Sequence, residues 1–558
     1  KATMSTLERK AVPTNLATAG SITSEYHSEL GHLNRRLGNR QIQLIAAGGS
    51  IGTALFINIG SALAKGGPGS LLLAFTLYTM ILALVNNSAA EMNTYMPVAG
   101  GFIRHAGYWV DDALGFVAGW NFFLFEAFLI PFEISALTFV MSFWTEAATQ
   151  PGPTAGIYAA VILIYGVLNC LAVKFYGEVE FWLSSGKIIL ILILFSFTFI
   201  TMVGGNPQND AYGFRYFSNP GSFSQYLSSG DLGRFEGFLS CLWTSALTIV
   251  GPEYISMVAA EAKHPSVYLK TAFITVYYRF GAFFILGALA VGIVVPYNDE
   301  ILQAVWLGAG SGKGTAAASP YVIAMENLGI SVLPHIVNAL ILTSIFSAGN
   351  TYVYCASRAL YSLSLDGCAP RILSYCTSKG VPIYCFAIVM LFSFLSFLQA
   401  HSGSAVVLTW LASIITEPAK FKGLTEEKSH TMDISNYIAL VFLTLVLFGY
   451  GYYAFRPSWN VETFFQSYSM QILSVILFVG WKIINKTDYV TPDKVDLIWE
   501  RPGIDRYEDA TTEPPLGFWE EMIRIVGFPK EKGMSDAWIY NHDVGIFWAF
   551  NVSIEMGS

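Results

Sequence analysis

The sequence predicts an all-α protein that crosses a lipid bilayer many times, and three observations carry that prediction. Of the 558 residues, 54% are hydrophobic and only 13% charged, about half the charged share of an ordinary soluble domain, and the mean hydropathy is +0.50. Nine runs, at 69–95, 113–144, 154–173, 188–203, 272–296, 333–356, 382–399, 435–453 and 465–482, are mostly long and nearly free of charge. About 20 consecutive apolar residues are enough to span a bilayer as a helix. Two further runs, 41–64 and 235–260, are as long but are interrupted by glycine or proline. Length alone would divide such a chain into several soluble domains; the apolar runs override that.

Taken in order, residues 1–40 form a polar tail, 41–484 the membrane domain and 485–558 a charged tail. The first forty residues lack a cleavable signal pattern, so the first span itself would direct insertion. With the N-terminus placed inside, the loops predicted to be cytoplasmic hold Arg35, Arg36, Arg40, Arg104, Lys263, Lys270, Arg358, Arg371 and Lys379, among others. The opposite loops hold few: Lys65, Arg215, Arg234, Lys313 and Arg456. That bias follows the positive-inside rule and puts both tails in the cytoplasm. Within the second tail "FWEEMIRIVGF" (518–528) has the pattern of a short amphipathic helix. Six cysteines lie within or beside spans without paired spacing, so neither a disulfide framework nor a metal site is expected. The net charge of −8 is spread along the chain, and no nucleic-acid partner is expected.

The two interrupted runs carry the functional argument. "AAGGSIGTALF" (46–56) places Gly48, Gly49 and Gly52 in the first span, and "SALTIVGPEYISMVAAEAKHP" (245–265) places Gly251 and Pro252 in the sixth. Each glycine weakens a helix by about 1 kcal/mol relative to alanine. A small-residue face for helix packing is the simpler explanation for one such stretch. A matched pair, five spans apart, instead marks a transporter's binding site. An unwound turn frees N–H and C=O groups that hydrocarbon cannot satisfy. A helix restarting there points donors and a positive dipole end at the gap, and a helix stopping there points carbonyls at it. One gap thus offers donors to a carboxylate and acceptors to an ammonium, the two poles of an amino acid.

The quoted stretches, with others in order along the chain, resemble the fungal amino-acid permeases of the amino acid–polyamine–organocation superfamily. "HLNRRLGNRQIQLIAAGGSIGTALF" resembles that family's opening span, "AAEMNTYMPVAGGF" the end of its second and "LGFVAGWNFFLFEAFLIPFEISA" its third. "FYGEVEFWLSSGKI" resembles the start of its fifth, "GPEYISMVAAEAKHP" its sixth with the following loop, and "SAGNTYVYCASRALYSLSLDGCAP" its eighth. The resemblance covers about 34–415 and 434–484. It implies a LeuT-like 5+5 inverted repeat with broken helices 1 and 6, plus two extra C-terminal helices, twelve spans in all. It also implies proton-driven import of amino acids across the plasma membrane. Carried over residue by residue, Ser50, Ile51, Gly52 and Thr53 would receive the substrate carboxylate through backbone N–H groups and the two hydroxyls. Carbonyls at Ala47, Gly48, Ile249 and Val250, beside Gly251, would receive the ammonium. The family's aromatic lid falls at Leu247, which implies either a weaker lid or its replacement by Trp243, one turn earlier.

Ionisable residues inside spans are functional candidates because each costs about 2.5 kcal/mol or more at the bilayer centre. Glu133 matches a family acid on span three and is a candidate for substrate contact or proton uptake; pairing across helices is the structural alternative. Glu126, two helical turns earlier, departs from the family, which has a bulky aromatic there. Lining the site, it would favour a cationic or hydroxylated side chain or act as the protonatable group. Lys187 resembles the lysine that stands in place of a sodium ion in related sodium-independent carriers; the alternative is a lysine that snorkels to the surface. Glu253 matches a family acid right after the sixth-span interruption, where a carboxylate can cap freed N–H groups. Arg279, read as early in span seven, would pair or snorkel. Glu91, Glu261 and Lys263 read as ion pairs of the cytoplasmic gate or loops.

Span ten is anomalous. "SAVVLTWLASIIT" (404–416) begins as in the family and then turns polar. About 13 apolar residues make a helix of about 20 Å, short of a hydrocarbon core near 30 Å. The sequence thus points to a secondary transporter with amino acids, protons and membrane lipids as partners. It has no Walker-type loop and no nucleophile–base or metal constellation within the spans. Neither enzyme activity nor a cofactor is expected. The rival is an amino-acid sensor with the same site and little flux, which the shortened tenth span favours and the modest tails disfavour.

Overall fold

The computed structural model describes residues 33 and 35–526, apart from 171–172, 308–318, 401–433, 456–457, 492–493 and 512. The shortened tenth span, at 404–416, lies outside the described residues. Within them the regular elements are helices, and Leu37 and Ala262 form an isolated bridge. In chain order they are α1 (Asn39–Ser50), α2 (Ile59–Tyr95), α3 (Phe102–Trp109), α4 (Asp112–Met141), α5 (Pro151–Cys170) and α6 (Val173–Met202). Then come α7 (Gly230–Thr248), α8 (Pro252–Val258), α9 (Pro265–Arg279), α10 (Leu286–Val294), α11 (Glu300–Leu307), α12 (Pro320–Asn327), α13 (Leu333–Leu365) and α14 (Ile383–Ser393). The last are α15 (Ile434–Gly449), α16 (Val461–Asn485), α17 (Arg501–Ala510) and α18 (Phe518–Val526).

Eight described stretches are long and apolar enough to cross a membrane. The longest, the 42 residues Ala54–Tyr95, would be about 63 Å long as one straight rod, twice a hydrocarbon core. It kinks at Gly67 (φ 78°), just before Pro68, and thereby holds the second half of span one and the whole of span two. α4 and α13 lie at the centre and carry mostly buried residues, whereas α5 and α16 turn Leu163, Val167, Val475 and Ile483 outward. An apolar outer ring around a buried polar interior is what a bilayer solvent selects, the reverse of a soluble domain. The result is an all-α polytopic membrane protein.

The end of the bundle at which α1 starts, here called the basic end, is closed by side chains and by the chain itself. Glu261 pairs with Arg358 at 3.1 Å, both fully buried, and accepts the Tyr354 hydroxyl. The Arg358 guanidinium lies 3.6 Å over the Tyr354 ring. The Glu261 carbonyl takes the backbone N–H groups of Arg36 and Leu37, each at 2.9 Å, and Lys263 N–H returns to the Leu37 carbonyl at 3.0 Å. The segment before α1 is thus laced to the segment after α8.

The second tail straps the same end. α1 starts at Gly38, which has no side chain to cap the orphan N–H groups of a helix start. Glu521 of α18 supplies the cap from far along the chain, accepting Asn39 N–H at 2.9 Å and Arg40 N–H at 3.0 Å. Glu508 of α17 does the same for Ser266 at the start of α9, at 3.0 Å. Arg104 bridges Asp366 and Glu500, each at 2.9 Å. A carboxylate at a helix N-terminus contributes about 1 kcal/mol. Glu521→Gln is therefore expected to loosen the tail, seen as faster proteolytic cleavage between α17 and α18; an unchanged cleavage rate would contradict this capping role.

His105, on α3 between spans two and three, is buried, bonds through Nε2 to the Met96 carbonyl at 2.9 Å and stacks on Trp109. Burial lowers its pKa to about 4, against an ordinary value of about 6.5. The folded protein keeps the ring neutral while the unfolded chain takes up a proton. The stabilisation is therefore complete above pH 6.5 and fades as pH falls toward 4, by about 3 kcal/mol. Thermal denaturation at stepped pH should show this decline, and His105→Gln should flatten that part of it.

Candidate functional site

The first interruption forms because α1 stops at Ser50 and Ile51 adopts extended backbone (φ −117°, ψ 96°) before a π-helical turn begins at Ala54. Ile51 N–H still reaches the Ala47 carbonyl at 3.1 Å, which the Ser50 hydroxyl also uses at 3.2 Å. The Ile51 carbonyl, freed from the helix, accepts Ser344 Oγ of α13 at 3.2 Å. Gly52 is enclosed by Ala348, Glu133 and Tyr352; a Cβ there would lie 2.9 Å from the Ala348 methyl and 3.2 Å from Glu133 Oε1. The Thr53 hydroxyl donates to Glu133 on α4.

The second interruption mirrors the first. α7 ends at Thr248, Ile249 is extended (φ −90°, ψ 103°), and α8 restarts at Pro252, a residue whose missing N–H costs nothing at a helix start. Glu253 accepts the freed Gly251 N–H at 3.0 Å. The helices that carry the two interruptions touch: the Tyr254 ring of α8 lies against Gly49 of α1. Its centroid is 6.4 Å from that of Tyr352 on α13.

Buried charge gathers at this place. Lys187 is fully buried and donates to the Gly48 carbonyl at 2.5 Å, so it enters the bundle at the interruption and does not snorkel. Glu180 and Glu133 are the carboxylates whose charge acts on it. Glu126 is fully buried with Tyr254 and Tyr352 as electrostatic neighbours. Arg279 sits fifteen residues into the span that starts at Pro265, midway and not early. It neither snorkels nor pairs: its guanidinium nitrogens meet no hydrogen-bond partner among the described residues. The carboxylate whose charge acts on it is Glu253.

Of the residues singled out from sequence, the structure brings together Ala47, Gly48, Ser50, Ile51, Gly52, Thr53, Glu133 and Lys187 at one interruption, and Ile249, Val250, Gly251 and Glu253 at the other. Two carbonyls expected to receive the ammonium are occupied, that of Ala47 by Ile51 N–H and the Ser50 hydroxyl and that of Gly48 by Lys187, while Glu253 caps the Gly251 N–H. Trp243 packs near Tyr453, ring centroids 6.1 Å apart, and Leu247 is half-buried. Sequence reasoning missed Glu180, Tyr254, Ser344, Ser347 and Tyr352. Glu180 carried the needed signal, a charge seven residues before Lys187. Both lie before the hydropathy run that begins at 188, whereas α6 begins at Val173, and the family resemblance pointed only to Lys187.

Comparison with known proteins finds relatives along most of the chain. A family model for amino acid permeases matches residues 41–417. The chain is 42% identical to the general amino acid permease AGP2 of Saccharomyces cerevisiae over 507 residues, covering 85% of this chain and 83% of that protein. It is 33% identical to a proline-specific permease of Emericella nidulans, covering 88% and 92%. It is also 33% identical to the dicarboxylic amino acid permease of Saccharomyces cerevisiae, covering 92% and 86%.

Proposed function

The chain belongs to the amino acid permease family, a family of transporters and not of enzymes, and from that premise we propose that it imports amino acids across the plasma membrane by proton symport and alternating access. Both tails lie in the cytoplasm in this proposal, so the basic end is the cytoplasmic gate. The supporting observation is the pair of unwound turns at 51–53 and 249–251, carried by helices that touch where Tyr254 meets Gly49. N–H groups of Ser50–Thr53 take the substrate carboxylate, and carbonyls at Ile249 and Val250 take its ammonium. An arriving carboxylate and Glu133 are like charges next to the same turn, so a proton must enter with the substrate for both to be accommodated. Glu133 and Lys187 are the primary coupling groups; Glu126 and Glu253 stand behind them. Opening to the cytoplasm then requires the Glu261–Arg358 pair to part, and binding from outside requires it closed, as observed.

The driving force suffices. One charge moving inward across 100 mV yields about 2.3 kcal/mol, and one pH unit about 1.4 kcal/mol. Together they sustain a gradient of several hundred-fold. The test is uptake of labelled proline, alanine, lysine and glutamate into proteoliposomes with and without an inward proton gradient. Accumulation of at least one that collapses without the gradient is the expected result. Uptake indifferent to the gradient would remove symport, and binding without flux would favour the sensor.

A further inference from the structure

Glu180 is a buried intramembrane acid that the scheme above does not employ. It lies on α6, seven residues and about two turns before Lys187, and is fully buried. Its carboxylate accepts Ser347 Oγ, Asn350 Nδ2 at 3.2 Å and Ser184 Oγ at 3.2 Å. Asn350 is itself held by Asn169 Nδ2 at 2.8 Å. Glu180 also rests on Gly48: a Cβ there would meet Oε1 at 2.3 Å. The Gly48 carbonyl takes the Lys187 ammonium. One residue of the broken helix therefore separates the carboxylate from the cation, and side-chain bulk at Gly48 would close the gap.

The groups facing Glu180 leave Lys187 as its counter-charge. α1 offers Gly48, and its Arg40 is engaged by Glu178 and Glu521. α13 offers Ser347 and Asn350, and its Arg358 is engaged by Glu261. α5 offers Tyr165 and α6 itself Tyr176, both neutral phenols in its field. α10 carries no ionisable residue. Glu133, on α4, acts on Lys187 from the Gly52 side.

We propose that Glu180 is the fixed counter-ion of Lys187 and that, by satisfying the ammonium, it frees Glu133 to take up and release the proton that travels with the substrate. This rests on the symport proposal. Two carboxylates flank one ammonium, so the set is neutral only when one carboxylate carries a proton, and a low-dielectric interior disfavours net charge. The partners of Glu180 are three neutral donors, which suit an acceptor-only carboxylate. Glu133 bonds Thr53 at the unwound turn itself. The proton enters on Glu133 from the outer solution and leaves from it to the inner one. Without the charge of Glu180, the ammonium is left with Glu133 alone, the pair locks, and the proton stops exchanging.

The test uses Glu180→Gln, a near-isosteric change that removes the charge and turns one of the two acceptor oxygens into a donor. In proteoliposomes, with the best-transported amino acid of the panel above, gradient-driven accumulation should fall at least tenfold relative to counterflow exchange in the same vesicles. Glu180→Asp should restore part of it. A ratio equal to that of the unsubstituted protein, or a parallel loss of both fluxes, overturns the proposal. A second readout is independent of protons: a thermal-stability cycle of Glu180→Gln, Lys187→Met and the double variant. The double should be less destabilised than the sum of the singles, including the case where a single variant does not fold and the double does. Additive effects, or a double as unfolded as the singles, overturn the counter-ion assignment. If the unsubstituted protein ignores the gradient, symport itself fails and the cycle alone judges Glu180.

Discussion

Gly52→Val is expected to weaken substrate binding about a hundredfold or more, which corresponds to about 2.7 kcal/mol, while the protein still folds and reaches the membrane. A Cβ alone at this position meets the Ala348 methyl at 2.9 Å and Glu133 Oε1 at 3.2 Å. Valine adds two methyls at the turn whose N–H groups are proposed to take the carboxylate. Overpacking itself costs about 1–3 kcal/mol, which the surrounding bundle can absorb. Equilibrium binding of labelled amino acids to purified protein, alongside its melting temperature, separates a blocked site from a broken fold. Unaltered affinity would remove this turn from the site; Gly52→Ala should fall between.

Arg358→Met is the second large effect. It leaves the Glu261 carboxylate buried beside Tyr354 without its cation. Removing one partner of a buried ion pair costs about 3–5 kcal/mol, far more than the 0–1 kcal/mol of a surface pair. The loss should appear as a lower unfolding temperature and as an opened basic end. Cys355, one turn before Arg358 and fully buried, should then react faster with a maleimide. Adding Glu261→Gln should recover much of the stability, because the orphaned charge is gone. A single variant as stable as the parent would mean the pair contributes nothing to closure.

How far the sequence reached depends on which interaction is at stake. Helices and their two interruptions were legible because bilayer hydrocarbon leaves the backbone few choices, and Gly52, Gly251 and Pro252 sit where those choices fail. Lys187 was legible through its resemblance to a family lysine. Glu180 was not legible as an intramembrane charge: its neighbours Glu178 and Tyr176 are polar, so the apolar count starts too late. Arg279 was misplaced for the same reason, since the polar first turns of α9 are helix and not loop. The tail shows the opposite limit. "FWEEMIRIVGF" announces an amphipathic helix, yet nothing local says that Glu521 caps α1.

The sequence alone determined the class of the molecule and the place of its two breaks, since these follow from hydropathy and from residues that cannot hold a helix, and its motifs carried the family resemblance. Only the tertiary structure decided which freed backbone groups are already taken and which charges share a space. It alone set Lys187 on the Gly48 carbonyl and Glu180 behind Gly48. The reason is range: chain order fixes what each segment can be, whereas pairing of buried charges is settled across helices far apart in sequence, at distances of about 3 Å.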